Sequence, residues 1–127
     1  MDVAHTAIWV SDLDETTTFY EDVLGLEYRR EFTMPDGTGN YYVGTDAGAE
    51  LQFKYDTNGD GDAVSPSGVD HLALTVDDVD ATFERVVGAS DCEVVLEPTT
   101  IDEADRRVAF VTDPDGYTVE FVQQVPK

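Results

Sequence analysis

Polar and apolar side chains alternate from the start of the chain. In His5-Thr6-Ala7-Ile8-Trp9-Val10, His5, Ala7 and Trp9 fall on one face and Thr6, Ile8 and Val10 on the other, the period-two pattern of a strand. The opening returns later in the chain: His71, Ala73 and Thr75 face one way, and Leu72, Leu74 and Val76 face the other. Residues 5–14 and 71–80 align without a gap, with His, Ala, Val and two Asp coinciding, so the chain reads as two copies of one unit. A helix follows each opening strand. Asp12 and Glu15 form a capping pair ahead of a helix over 13–23, and Gly25 stands where it must stop; Asp77 or Asp78 caps a second helix over 79–87, which Gly88 ends.

Three strands are expected after each helix: 28–33, 41–45 and 49–55 in the first copy, 92–97, 106–112 and 117–124 in the second. Pro35-Asp36-Gly37, Asp46-Ala47-Gly48 and Asp113-Pro114-Asp115-Gly116 punctuate them with turn chemistry. The expected fold is therefore α+β, two tandem βαβββ modules forming curved mixed sheets within one domain over 1–127. The modules cover 1–55 and 69–127, and a Gly-, Asp- and Ser-rich linker over 56–68 joins them.

Composition narrows the setting. With 41% hydrophobic residues among 127, the chain has apolar material for a core. No apolar run approaches 18 residues and the start carries no positive charge, so neither a membrane span nor a secretory signal is expected. Twenty-eight acidic residues against seven Lys and Arg give a net charge of −21, which excludes nucleic acid and anionic membranes as partners. At about 1 M salt the Debye length is roughly 3 Å and such self-repulsion is screened. The composition points to a cytoplasm of high ionic strength, as in a salt-loving microbe. The one cysteine, Cys92, cannot close an intrachain bridge and reads as a small buried thiol.

The candidate chemistry lies in the late strands. Alternation sets Glu50, Gln52 and Lys54 opposite Leu51, Phe53 and Tyr55, and Glu120 opposite Val119 and Phe121. Each module thus offers one His early and one Glu late, and the chain has only two His. Two imidazoles and two carboxylates suit a divalent transition metal with positions left open for water or substrate. The competing reading makes them half-buried strand histidines and solvated glutamates. A second metal motif, Asp56-Thr57-Asn58-Gly59-Asp60-Gly61, matches the first half of a calcium loop, but Ser67 stands where a bidentate Glu is needed; it reads as a solvated acidic linker.

These residues resemble the vicinal oxygen chelate superfamily, which includes glyoxalase I, extradiol dioxygenases, fosfomycin-resistance thiol transferases, methylmalonyl-CoA epimerase and bleomycin-binding proteins. The resemblance runs along nearly the whole chain. It is carried by His5 with Phe19-Tyr20-Glu21-Asp22-Val23-Leu24-Gly25-Leu26, by Gly68-Val69-Asp70-His71-Leu72-Ala73-Leu74-Thr75-Val76, and by Phe110-Val111-Thr112-Asp113-Pro114-Asp115-Gly116-Tyr117-Thr118-Val119-Glu120. The last is similar to the C-terminal signature of small microbial glyoxalase I.

The resemblance implies a metal ligand set of His5, Glu50, His71 and Glu120 around one divalent ion per site, nickel or cobalt favoured over zinc or manganese. It also implies a homodimer whose sites each take His5 and Glu50 from one subunit and His71 and Glu120 from the other. An uncovered edge of a curved half-barrel is an independent physical reason for association. The implied reaction isomerises the hemithioacetal of a low-molecular-weight thiol and a 2-oxoaldehyde such as methylglyoxal to a 2-hydroxyacyl thioester, a detoxification. The metal acts as Lewis acid and a carboxylate, Glu120 or Glu50, moves a proton from C1 to C2. Trp9, Gln52, Lys54 and Thr75 are the expected substrate-binding residues. Glutathione-type glyoxalases commonly carry Arg where this chain has Trp9 and Asn where it has Lys54, which admits γ-glutamylcysteine or another small thiol as partner. A small-molecule binding or resistance protein of the same fold is the alternative, as is a metal-dependent dioxygenase, epimerase or thiol transferase.

Overall fold

The computed structural model describes residues 1, 3–59, 64 and 67–125. The chain divides into two compact units, Met1–Val64 and Ser65–Lys127, each a strand, a helical segment and three further strands.

In the first unit β1 (His5–Trp9) is followed by α1 (Leu13–Thr17). Asp12, in extended conformation, accepts a hydrogen bond from the Glu15 amide at 3.0 Å and so caps the helix. The helix then widens into a π-helical turn over Thr18–Val23, closed by a 2.9 Å bond from the Leu24 amide to the Phe19 carbonyl. Gly25 follows at φ +85°, the left-handed stop expected at that position. Strands β2 (Glu27–Thr33), β3 (Thr38–Gly44) and β4 (Glu50–Asp56) complete the unit. The sheet order is β1-β4-β3-β2, with β1 parallel to β4 and the other pairs antiparallel.

One face of this sheet is apolar and receives the helical segment. Thr16, Phe19, Tyr20 and Val23 form the buried stripe of that segment, and the Tyr20 ring lies 4.8 Å from that of Phe53, itself fully buried. Ile8 is the register partner of Phe53, and Tyr41 stands across from it on β3. The Tyr41 hydroxyl donates to Glu21 at 2.5 Å; burial and that carboxylate push the phenol strongly upward.

The second unit repeats the plan with β5 (Leu72–Thr75), α2 (Val79–Ala89), β6 (Val94–Ile101), β7 (Arg106–Thr112) and β8 (Thr118–Gln124), in sheet order β5-β8-β7-β6. Asp78, rather than Asp77, is the cap, accepting from the Ala81 amide at 3.1 Å. Gly88 does not end α2, which continues through Ala89 to Ser90, whose hydroxyl bonds back to the Val86 carbonyl at 2.8 Å. Cys92 is half-buried and lies before β6 instead of inside it. The β7–β8 turn forms as expected: the carboxylate of buried Asp113 accepts from the amides of Asp115 and Tyr117, each at 2.9 Å, and Gly116 takes φ +88°.

An ion pair ties α2 to its sheet. Arg107 grips Asp80 with two hydrogen bonds of 2.6 and 2.8 Å, and this guanidinium holds the Asp80 carboxyl below its usual 3.8. A lowered carboxyl pKa contributes stability above the unfolded-state value, and that stability is lost as pH falls through the folded-state value. Asp80→Asn therefore lowers the denaturation midpoint slightly at neutral pH, and the difference from wild type is lost as pH falls from the ordinary carboxyl value of 3.8 through the lower folded-state value, as urea unfolding across the pH range reads directly. The effect is small because the pair is solvent-exposed.

No helix among the described residues is long and apolar enough to cross a membrane. The candidate calcium loop begins in the turn after β4, where the Asp56 carboxylate accepts from the Asn58 amide at 2.9 Å. Its Asp60 and Gly61 lie outside the described residues.

Candidate functional site

In each unit the face of the sheet turned away from the helix carries the candidate chemistry. In the second unit His71 immediately precedes β5, and Glu120 pairs with Ala73 across the parallel β5–β8 ladder. The two side chains share a face, with His71 Nε2 at 3.3 Å from Glu120 Oε1. The other ring nitrogen, Nδ1, lies 2.7 Å from the Asp70 carboxylate, and the ring leans on Phe110 at 5.6 Å between centroids. Asp70 thus orients the ring through Nδ1 and leaves Nε2 facing Glu120. An imidazole nitrogen and a carboxylate oxygen at this separation can share a proton or a metal ion, so this donor pair fits a divalent cation.

The first unit builds its pair differently. His5 and Glu50 are direct register partners of β1 and β4. Glu50 is mostly buried, with 19% of its side chain exposed, and Arg30 Nη1 sits 3.0 Å from Oε1 and 3.2 Å from Oε2 while Arg29 Nε lies 3.8 Å away. The pairing of β2 with β3 shifts between Tyr28 and Arg30, a bulge that lets two consecutive arginines reach the same carboxylate. The Arg30 guanidinium lies 4.1 Å from the Tyr42 ring centroid. Tyr42 in turn meets the His5 ring edge-on at 5.7 Å and stacks on Phe32 at 6.1 Å.

The repeat is not strict at this point. Ala7 pairs with Gln52 in the first ladder where Ala73 pairs with Glu120 in the second, so Gln52, not Glu50, holds the register position of Glu120. Two residues along a strand return a side chain to the same face, which is why Glu50 still shares a face with His5. Gln52 is buried and its amide donates to Asn40 Oδ1 at 2.8 Å. Lys54 Nζ donates to the same oxygen at 2.8 Å and lies 5.7 Å from the ring centroid of Trp9, its register partner, which is 48% exposed. Thr75 is exposed at the end of β5, opposite Val122.

Among the described residues no group of three or more His, Cys, Asp or Glu side chains is close enough to hold an ion; the four expected ligands occur as one pair in each unit. Sequence reasoning missed Arg29, Arg30, Asn40, Tyr42, Asp70 and Phe110. Asp70 could have been found from its place beside His71. Asn40 falls before the expected start of the 41–45 strand, whereas β3 begins at Thr38 and gives Asn40 and Tyr42 a common face.

The model of the Glyoxalase/Bleomycin resistance protein/Dioxygenase superfamily matches residues 2–121, and the chain belongs to that family. A lactoylglutathione lyase of Haemophilus influenzae is 34% identical over 127 residues, 97% of this chain and 93% of its own length. Among solved structures, glyoxalase I from Zea mays superposes with a TM-score of 0.84 at 25% identity, covering 99% of this chain, which spans about half of the maize chain (46%). The trypanothione-dependent glyoxalase I of Leishmania major superposes with a TM-score of 0.82 at 26% identity, over 98% of this chain and 87% of its own.

Proposed function

We propose that this chain is a metal-dependent isomerase of the glyoxalase I type, converting the hemithioacetal of a 2-oxoaldehyde and a small thiol to a 2-hydroxyacyl thioester. The observation that carries the reading is the His71–Glu120 contact, with Nδ1 of the imidazole tied to Asp70, in a chain one third identical to a lactoylglutathione lyase.

His5, Glu50, His71 and Glu120 would hold the ion, nickel or cobalt in first preference, zinc or manganese otherwise. Bound there, it supplies Lewis acidity to the adjacent oxygens of the substrate. Glu120 takes the proton from C1 and returns it to C2, leaving the carboxylate as it began. Among the described residues Glu120 forms no ion pair with arginine, unlike Glu50, which favours Glu120 over Glu50 as the base. Trp9, Gln52, Lys54 and Thr75 bind the substrate, and Lys54 receives a carboxylate of the thiol. The two modules, joined by 56–68, act as one domain, and two subunits share each site. The net charge of −21 suits a cytoplasm of high ionic strength.

The test is direct. Purified protein in molar salt, given methylglyoxal with glutathione or γ-glutamylcysteine and Ni²⁺, Co²⁺, Zn²⁺ or Mn²⁺, forms a thioester absorbing in the ultraviolet, and a chelator abolishes it. No product with any pairing removes this reading and leaves a binding protein of the same fold.

A further inference from the structure

Asn40 is among the most deeply buried polar residues of the first unit, 1% exposed. A buried amide is held where its hydrogen bonds are made, and here they are specific. Oδ1 accepts from Gln52 Nε2 and from Lys54 Nζ, both at 2.8 Å, while Nδ2 donates to the Thr38 carbonyl at 3.3 Å. One buried oxygen thus fixes a neutral amide and an ammonium on the face that carries His5 and Glu50.

Arg29, Arg30 and Arg107 form ion pairs with carboxylates, whereas Lys54, like Arg106, forms none among the described residues, although the sequence holds 28 acidic residues. Its partners are a neutral oxygen and the face of Trp9. Neither is a carboxylate, and although Asp36 lies within electrostatic range, no carboxylate is hydrogen-bonded to the ammonium among the described residues, so it can still attract an external anion. Asn40 is the neutral acceptor that makes this arrangement possible: a carboxylate in its place would consume the charge, and an apolar side chain would release the flexible lysine stem.

We propose that Asn40 is a positioning residue for substrate, aiming the Lys54 ammonium at a carboxylate of the thiol moiety; this rests on the glyoxalase reading above. Asn40 itself touches no reacting atom. Its contribution is to hold Lys54 in place beforehand, which lowers the ordering cost of binding, and to fix the orientation of the Gln52 amide through Nε2.

The single tryptophan of the chain, Trp9, is an intrinsic fluorescent reporter beside Lys54. S-Methylglutathione and its ethyl diester are the probes, titrated into metal-loaded protein. Asn40→Leu weakens the free acid about tenfold, the scale of one charge-assisted contact, and leaves the ester within twofold. Asn40→Asp keeps the two hydrogen bonds accepted by Oδ1, gives up the one donated to the Thr38 carbonyl and neutralises Lys54. It gives the same acid-selective loss, and unfolding midpoints of both variants separate this loss from a folding defect. Lys54→Met matches it, and the Asn40→Leu/Lys54→Met pair loses no more than either alone. In turnover, Asn40→Leu raises KM about tenfold with kcat within twofold. Acid binding as in wild type for either Asn40 variant, an equal loss for acid and ester, or additive losses in the pair overturns the proposal. Absence of turnover in the wild type overturns the glyoxalase reading separately, because probe binding is measured without catalysis.

Discussion

Glu120→Gln lowers kcat about 10³-fold. Glutamine keeps the shape of the side chain and its place opposite Ala73 and Phe110 but has no basic oxygen, so under the proposed mechanism the proton at C1 would have no acceptor. General base catalysis of this kind is worth about 10² to 10⁴, and under the proposed ligand set the substitution also replaces an anionic ligand by a neutral one, which weakens metal retention. The two contributions separate in one experiment: kcat is measured at saturating metal, and metal content by elemental analysis after dialysis. A residual kcat within tenfold of wild type at full metal occupancy would assign the base elsewhere. Glu50→Gln is then the informative comparison. Arg29 and Arg30 already offset the Glu50 charge, so its loss costs metal affinity more than it costs the proton transfer.

Phe53→Ala destabilises the protein by about 3–5 kcal/mol, the range for truncating a fully buried aromatic ring. Phe53 has no exposed surface. Its ring meets Tyr20 at 4.8 Å, and its neighbours across the ladders are Ile8 and Tyr41. Removing it empties the contact through which the helical segment Leu13–Val23 holds the sheet, and close packing leaves little scope for neighbours to fill the space. Urea unfolding in molar salt, where repulsion within a chain of net charge −21 is screened, reads the loss as a lower midpoint at unchanged slope. A loss below about 1 kcal/mol would show that the helical segment does not depend on this ring.

The helical segment and the sheets were legible because their signals are local. Asp12 capping, the Gly25 stop and the Asp113 turn each depend on residues within a few positions of one another, and all appear where the pattern places them, whereas the π-helical turn over Thr18–Val23 was not legible. The end of α2 was not legible, since Gly88 is tolerated inside a helix when the following turn closes well, as Ser90 closes it here. The site was legible in its faces and not in its partners. Alternation set His5 with Trp9, and Glu50 with Gln52 and Lys54, on common faces. That Arg30 meets Glu50 depends on a bulge, and that Asn40 serves both Gln52 and Lys54 depends on the register of β3 against β4.

By itself, then, the order of residues along this chain determined a duplicated strand–helix–three-strand unit, its caps and turns, and which side chains look away from the core, because period, capping and turn chemistry act over short distances. Tertiary structure alone decided that Gln52 takes the register place of Glu120, that two arginines meet one glutamate while an imidazole faces the other, and that Lys54 stands beside Trp9 with no ion pair among the described residues. Pairing register joins residues far apart in sequence, and a shift of two positions leaves every local pattern unchanged while altering which charges meet.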